Sequence, residues 1–453
     1  MSLGACRLKR SFFALAAGLG VSVCLIACGH TVTNTTGVAP NGQLTRVLAS
    51  QGVTSASTFG GLDVIDGWID VLIRTPPLSA GSEPGLMAIS PGRSQVAAFD
   101  QSSNTVYAFF TSTEKAEGTV QLGFPTYSMV IPTEAAFGYA AVPSAFVPGH
   151  TFIGAVEVMN LTGGLNGTIA VTNAQMVVSN STGTELLVFS NDSDVMTVLY
   201  PNNSSPPVDT SCQTGNMNPN APVCFPITGF SRPVNAIING SVAYVLNCGG
   251  ECGGATGTGA PAPASVAIFD LNSLAITGTI PVDAATMAFL SGTTLYVAGT
   301  SPSNNACTGE TTAATTCGRL DLIDLTSNTV TNSFVITDGY HWRMDMSSNG
   351  QLFVGSHDCT NIGDANNPIP GQEIRGCLTI LNTANNAIVI PPDNGDVNGF
   401  QSFSTRWVEY VAEGGNLRVY DTTIDALLIN DYILNGTIPV VGYAGDVKAI
   451  DFF

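Results

Sequence analysis

PVNAIINGSVAYVLN at residues 233–247 and SVAIFDLNSLAITGTIPV at 265–282 decide how this chain folds. Each holds two short apolar stretches of period-2 alternation, split by turn formers such as Asn239-Gly240 and Asp270-Leu271-Asn272-Ser273. Two β-strands joined by a tight turn are the physical reading of such a pattern. The next segment repeats it, with ATMAFLSGTTLYVAGT at 285–300 and GRLDLIDLTSNTVTNSFVI at 318–336. Further copies begin at Pro84, Pro125, Thr172, Tyr340 and Asp396, and units run about 41 to 59 residues. The composition agrees: 49 Gly and 25 Pro among 453 residues, with only 10% charged, exclude a long helical bundle. An apolar content of 44% supplies a core and excludes disorder.

A four-stranded unit at this period reads as a β-propeller blade, whose two apolar faces are buried only when blades stack around an axis. Second strands starting near Thr45, Ser94, Phe137, Glu185, Val242, Thr294, Gln351 and Trp407 predict eight blades. Seven is the alternative if the weak unit at 125–171 is not a blade. The first unit lacks an innermost strand, and the C-terminal VKAIDFF lacks the three strands that should follow it. Val447 to Phe453 is therefore expected to pair with the blade formed by 43–82 and close the ring, which removes exposed sheet edges. The fold class is all-β, a single propeller over 43–453.

These units resemble the YVTN-type propeller repeats of bacterial surface proteins, best at Ala243-Tyr244-Val245, Leu295-Tyr296-Val297, and the turns Val266 to Leu271 and Leu320 to Leu325. The resemblance covers nearly all of 43–453 in degenerate copies. It implies a fold and no particular function.

The N-terminus has a different character. Arg7, Lys9 and Arg10 precede the apolar run SFFALAAGLGVSVCLIA, which stops at Cys28. A basic start, a short apolar stretch and small residues before a cut are the marks of an export signal. Leu25-Ile26-Ala27-Cys28 resembles the lipobox of bacterial lipoproteins. That resemblance implies cleavage after residue 27 and, on Cys28, a diacylglyceryl group with an N-acyl chain such as palmitate. Two or more chains anchor stably where one does not. Gly29 in place of Asp favours the outer membrane of a cell envelope. Residues 28–42 then form the lipidated end and a flexible tether. Removing three of the 14 Lys and Arg leaves 11 against 33 acids, or −22. A chain this acidic, with three Lys in all, is not expected to bind nucleic acid.

Of the 11 cysteines, Cys6 and Cys24 leave with the signal. Eight fall in four close couples inside long inserts: Cys212 with Cys224, Cys248 with Cys252, Cys307 with Cys317, and Cys359 with Cys377. An even count in an exported chain predicts disulfides, and local pairing is the simplest of the 105 connectivities. The spacing Cys248-Gly-Gly-Glu-Cys252 also suits a metal, but no His is near it, and neither a metal nor a cofactor is expected.

Three cysteine-bearing loops (248–265, 300–318 and 357–376) join second to third strands, on the propeller face that also carries the interblade connections. In that sector Asp338, Tyr340, His341, Trp342, Arg343 and Asp345 lie close to His357 and Asp358. Aromatic, basic and acidic side chains converging on one face make the ligand-site candidate, although an ion pair and packing on an innermost strand explain the same residues. No His-Glu-x-x-His, Gly-x-Ser-x-Gly or phosphate-binding loop occurs. Asp192, Asp194 and Asp364 could offer oxygens to Ca²⁺, but their spacing fits Asx-turns better. Two functions are carried forward. One is a non-catalytic, monomeric, lipid-anchored scaffold that binds an envelope protein, a glycan or a small ligand. The other is a lactonase-like hydrolase using the axial pocket, with catalytic groups drawn from His341, Asp338, Asp345 and Arg343.

Overall fold

The computed structural model describes residues 45–451, apart from 55–59, 74–75, 135–136, 191, 202–222, 301–317, 360–375, 392–394, 431–432, 434 and 441. The expected signal, Cys28 and tether lie outside the described residues, as do Cys212, Cys307, Cys317 and Asp364.

Eight antiparallel four-stranded sheets form the blades. In chain order, blades 2 to 8 occupy 84–121, 128–170, 174–227, 233–281, 287–336, 340–389 and 397–438, the last with an extra short strand, Thr437–Ile438. Blade 1 joins the two ends of the chain. Its inner strand, Tyr443–Asp451, pairs with Thr45–Gly52, placing Val47 opposite Ala449 and Ala49 opposite Val447. The expected ring closure is present. The weak unit at 125–171 is a full blade, so eight is the count. Eight buried apolar clusters fill the joints between successive blades, including the joint of blades 8 and 1.

A recurrent local rule turns each third strand into the fourth. Asp66, Asn160, Asp270, Asp324, Asn382 and Asp421 end third strands, and each side chain accepts the backbone N–H two residues on, at 2.8–3.0 Å. In five of these turns the fourth residue along takes a left-handed conformation: Asp70, Leu274, Asn328, Asn386 and Asp425 have φ of 52–62°. Asn and Asp tolerate that region and satisfy the turn themselves, which is why the repeat ends its third strand on them.

Innermost strands run from an upper face to a lower one. Interblade connections and second-to-third loops lie on the upper face, and the remaining hairpin turns lie on the lower. Both described chain ends, Thr45 and Asp451, are on the lower face of blade 1. Buried ion pairs flank this closing blade. Arg46 meets Glu114 of blade 2 at 2.6 Å. On the other side, Arg406 of blade 8 grips Asp70 through both guanidinium nitrogens at 2.8 and 2.9 Å, and the Tyr410 hydroxyl donates to the same carboxylate.

Candidate functional site

The upper ends of the innermost strands do not run straight. In six of the eight blades the register between first and second strands slips by one residue near the start of the first. The extra residues are Gly445, Gln175, Val234, Trp342 and Asn398, and in blade 2 Gly85 and Leu86 face Phe99 alone. A β-bulge re-aims a side chain without breaking the sheet. All of these bulged residues line one axial cavity of about 820 Å³ on the upper face. A ring of repeated bulges thus builds the funnel. In blade 1 and blade 2 the bulge residues are glycines in close approach: a Cβ on Gly445 would lie 3.0 Å from the Gly85 Cα.

Blade 7 supplies the most elaborate wall. Its bulge brings Trp342 and Arg343 to the cavity together, with Tyr340 and His357 beside them. The indole is fully engaged: its N–H donates to the Val397 carbonyl at 2.7 Å. The Arg343 guanidinium stacks 4.1 Å from the ring centroid, and the His357 ring meets the indole edge-on at 4.2 Å. Trp342 is therefore a pillar that holds its neighbours in the wall. Arg343 is the group it positions. Arg343 Nε donates to the Asn398 carbonyl at 3.3 Å, and its terminal nitrogens make no hydrogen bond among the described residues. Burial pushes this guanidinium below its ordinary pKa, and attraction to Asp446 opposes that. Asp446 is itself saturated by Lys448 Nζ at 2.9 and 3.0 Å and by the Met87 N–H at 2.9 Å. The cavity wall thus holds a cation that the protein compensates incompletely. Burial also lowers the His357 pKa, so this imidazole is neutral near pH 7.

Four of the expected site residues are elsewhere. His341 is completely buried, with its ring against Gly318 of blade 6, and burial pushes its pKa down to about 4. Alternation along the strand sends it into the joint while its neighbours face the funnel. Asp338 is also buried, and its backbone carbonyl accepts from the Ser356 hydroxyl. Asp345 sits farther down the same strand and clamps two blades, accepting the Met346 N–H on one oxygen and the Ser402 N–H of blade 8 on the other. Asp446 makes the same two-sided clamp between blades 1 and 2. Asp358 is exposed outside the cavity, in a left-handed turn whose N–H donates to Asp396.

Two staples stand as expected. Cys248 is bonded to Cys252, and Cys359 to Cys377, with Cα separations of 5.7 and 5.5 Å. Cys224 is disulfide-bonded too. The first staple closes the 3₁₀ turn Gly249–Cys252, and that turn delivers a group the sequence reading passed over. Glu251 lines the funnel and accepts the Thr300 N–H of blade 6 at 2.8 Å. Burial pushes its carboxyl up to about 8, against the pull of that hydrogen bond, so it is protonated at neutral pH. Its only signal in sequence is an acid inside a tight cysteine pair. Among the described residues, no group of three or more His, Cys, Asp or Glu is placed to hold a metal ion.

The fold has many relatives. A dihydro-heme d1 dehydrogenase, NirN, solved in complex with DHE, matches 88% of this chain and 76% of its own at 12% identity, with a TM-score of 0.56. The Dos1 propeller matches 79% of this chain and 85% of its own at 11% identity, with a TM-score of 0.52. The periplasmic gluconolactonase PpgL of Pseudomonas aeruginosa covers 90% of this chain and 99% of its own at 11% identity, with a TM-score of 0.45. No family profile matches the chain, and no curated protein is similar to it in sequence. Likeness at this identity carries the β-propeller and nothing of activity.

Proposed function

We propose that this chain is a lipid-anchored β-propeller of a bacterial cell envelope, facing the outer membrane, that holds a small anionic ligand in its axial funnel and does no chemistry on it. The observation that carries this reading is Arg343. Its guanidinium is pinned on Trp342, its terminal nitrogens are uncommitted among the described residues, and it faces a cavity of about 820 Å³, within the size range of small-molecule sites. A half-buried, partly compensated guanidinium gains a charge-assisted, two-pronged partner when a carboxylate or phosphate arrives. The acids Glu83 and Asp192 sit exposed at the rim, where water screens them, and Glu251 is neutral at pH 7. The groups a hydrolase would have drawn on argue the other way: His341, Asp338 and Asp345 are committed to the joints between blades, which weighs against that alternative.

Calorimetric titration with phenylacetate and glucose 6-phosphate, against phenylacetamide and glucose, tests the ligand class. The anions should bind at least about ten-fold tighter than their neutral counterparts, equivalent to ~1.4 kcal/mol. Arg343→Gln should abolish that preference. Equal affinity for charged and neutral probes, or no binding of any, would overturn the reading. The anchor is tested separately. Cys28→Ser should move the protein from the membrane fraction to the soluble one, and unchanged fractionation would refute lipidation.

A further inference from the structure

The lower face of blades 8 and 1 carries an apolar patch that the fold does not use. Trp68 is 63% exposed in the hairpin turn of blade 1, while Trp407 and Ile424 are 61% and 67% exposed in two lower turns of blade 8. Hydrogen bonds tie the three turns together. Arg406 donates to the Gly67 carbonyl, and the Thr422 N–H donates to the Trp407 carbonyl at 3.0 Å. Ile429, also exposed, borders the patch through Asn430, whose amide bonds Asp70 at 3.1 Å. The cation of the patch is spent internally, since both terminal nitrogens of Arg406 are held by Asp70. Two of the three tryptophans of the chain are displayed there, beside the carboxylates of Asp66, Asp421 and Asp425 in the same turns. Isolated apolar residues on a surface need no explanation, but two indoles and two isoleucines gathered on hydrogen-bonded turns do.

What lies against this surface follows from where the chain arrives. The Gly67 N–H donates to the Thr45 carbonyl at 3.1 Å, so the first described strand starts beside the Trp68 turn. Cys28 precedes Thr45 by 17 residues, a length of chain that reaches at most about 60 Å. An anchor on Cys28 therefore leaves the propeller from the patch itself and tethers that face within that reach of the bilayer. Trp favours the bilayer–water interface, where its ring is apolar and its N–H stays hydrated.

We propose that the patch of Trp68, Trp407 and Ile424 seats on the membrane surface, with both indoles at headgroup depth. The propeller then stands with its lower face on the bilayer, and the funnel, on the upper face, opens away from it. This orientation rests on the anchor proposed above, and the two can fail separately.

The test reconstitutes the purified acylated full chain in vesicles of phosphatidylethanolamine and phosphatidylglycerol carrying brominated acyl chains, which quench indoles at interfacial depth. Wild type should show strong quenching and a blue-shifted emission relative to unbrominated vesicles. Trp68→Phe/Trp407→Phe keeps an aromatic ring at two exposed positions and leaves Trp342, in the funnel, as the sole indole; it should lose nearly all of the quenching. A vesicle-bound wild type without quenching would overturn the seating and leave the patch to a protein partner. Equal quenching of the double variant would overturn it as well, because it would put the funnel face on the bilayer. Membrane fractionation of Cys28→Ser reads the anchor alone: if that fails while quenching persists, the patch binds lipid without a tether.

Discussion

His341 is fully buried and Glu251 half-buried, and desolvation drives their titrations in opposite directions along the pH axis. The imidazole titrates near 4 in the fold against an ordinary 6.5. Below pH 6.5 the unfolded chain takes up a proton that the native joint refuses, so stability falls between pH 6.5 and 4, by up to ~3 kcal/mol. The Glu251 carboxyl titrates near 8 against an ordinary 4.5. Here the native state holds the proton that the unfolded chain gives up, so the contribution is complete below 4.5 and is lost as pH rises through 8. The two slopes oppose over pH 4.5–6.5, so urea midpoints across pH 4–9 should stay nearly level there and fall from 6.5 to 8; His341→Gln should expose a decline as pH rises over 4.5–6.5, and Glu251→Gln should remove the fall above 6.5. Unchanged slopes in both variants would refute these assignments. The Arg406–Asp70 pair makes a sharper case. Asp70 is fully buried and answers a bidentate guanidinium and a tyrosine hydroxyl. Asp70→Ala strands both and should cost about 3–5 kcal/mol in chemical denaturation.

At the scale of elements, strand position and turn chemistry were legible in sequence because each is local. Alternation gives the strands, and an Asp or Asn ending a third strand gives the turn that follows, as at Asp270 and Asp324. The two described disulfides also join near neighbours, as expected of loops that start and end on adjacent strands. The bulges were not legible. One extra residue in an innermost strand leaves no trace in an alternating pattern that is only a few residues long, yet it decides that Arg343 lines the funnel beside Trp342 instead of following His341 into the joint. Cys359 and Cys377 are 18 apart, and a bond closing such a loop contributes about 3 kcal/mol. Changing both to Ala should lower the melting temperature by several degrees while leaving the other joints folded, as calorimetry and circular dichroism would show.

At the scale of the molecule, closure is the longest-range strand pairing among the described residues. Tyr443–Asp451 pairs across nearly the full chain length with Thr45–Gly52, and the cluster joining blades 8 and 1 forms only when it does. A chain ending at residue 442 loses the innermost strand of blade 1 and the Asp446 clamp to blade 2. It should be insoluble or associate through the open edge. A monomer with wild-type melting behaviour would contradict this account of closure. Ring geometry also separates two surfaces by the height of a blade: a funnel whose incompletely compensated cation suits an anion, and a tryptophan-bearing face beside the start of the first strand.

By itself the sequence determined the all-β class, eight repeats, their order, the terminal strand exchange and two local disulfides, because each rests on periodicity or on neighbours along the chain. Only the tertiary structure decided which residues share the axial cavity. Those residues come from seven blades and the connection leading into blade 3, and in six blades a one-residue register slip, invisible to alternation, helps set which side chains reach the axis. Asp338, His341 and Asp345 thus read as ligands in sequence and serve as packing and clamps in the fold, whereas Glu251, one position before Cys252, faces the funnel.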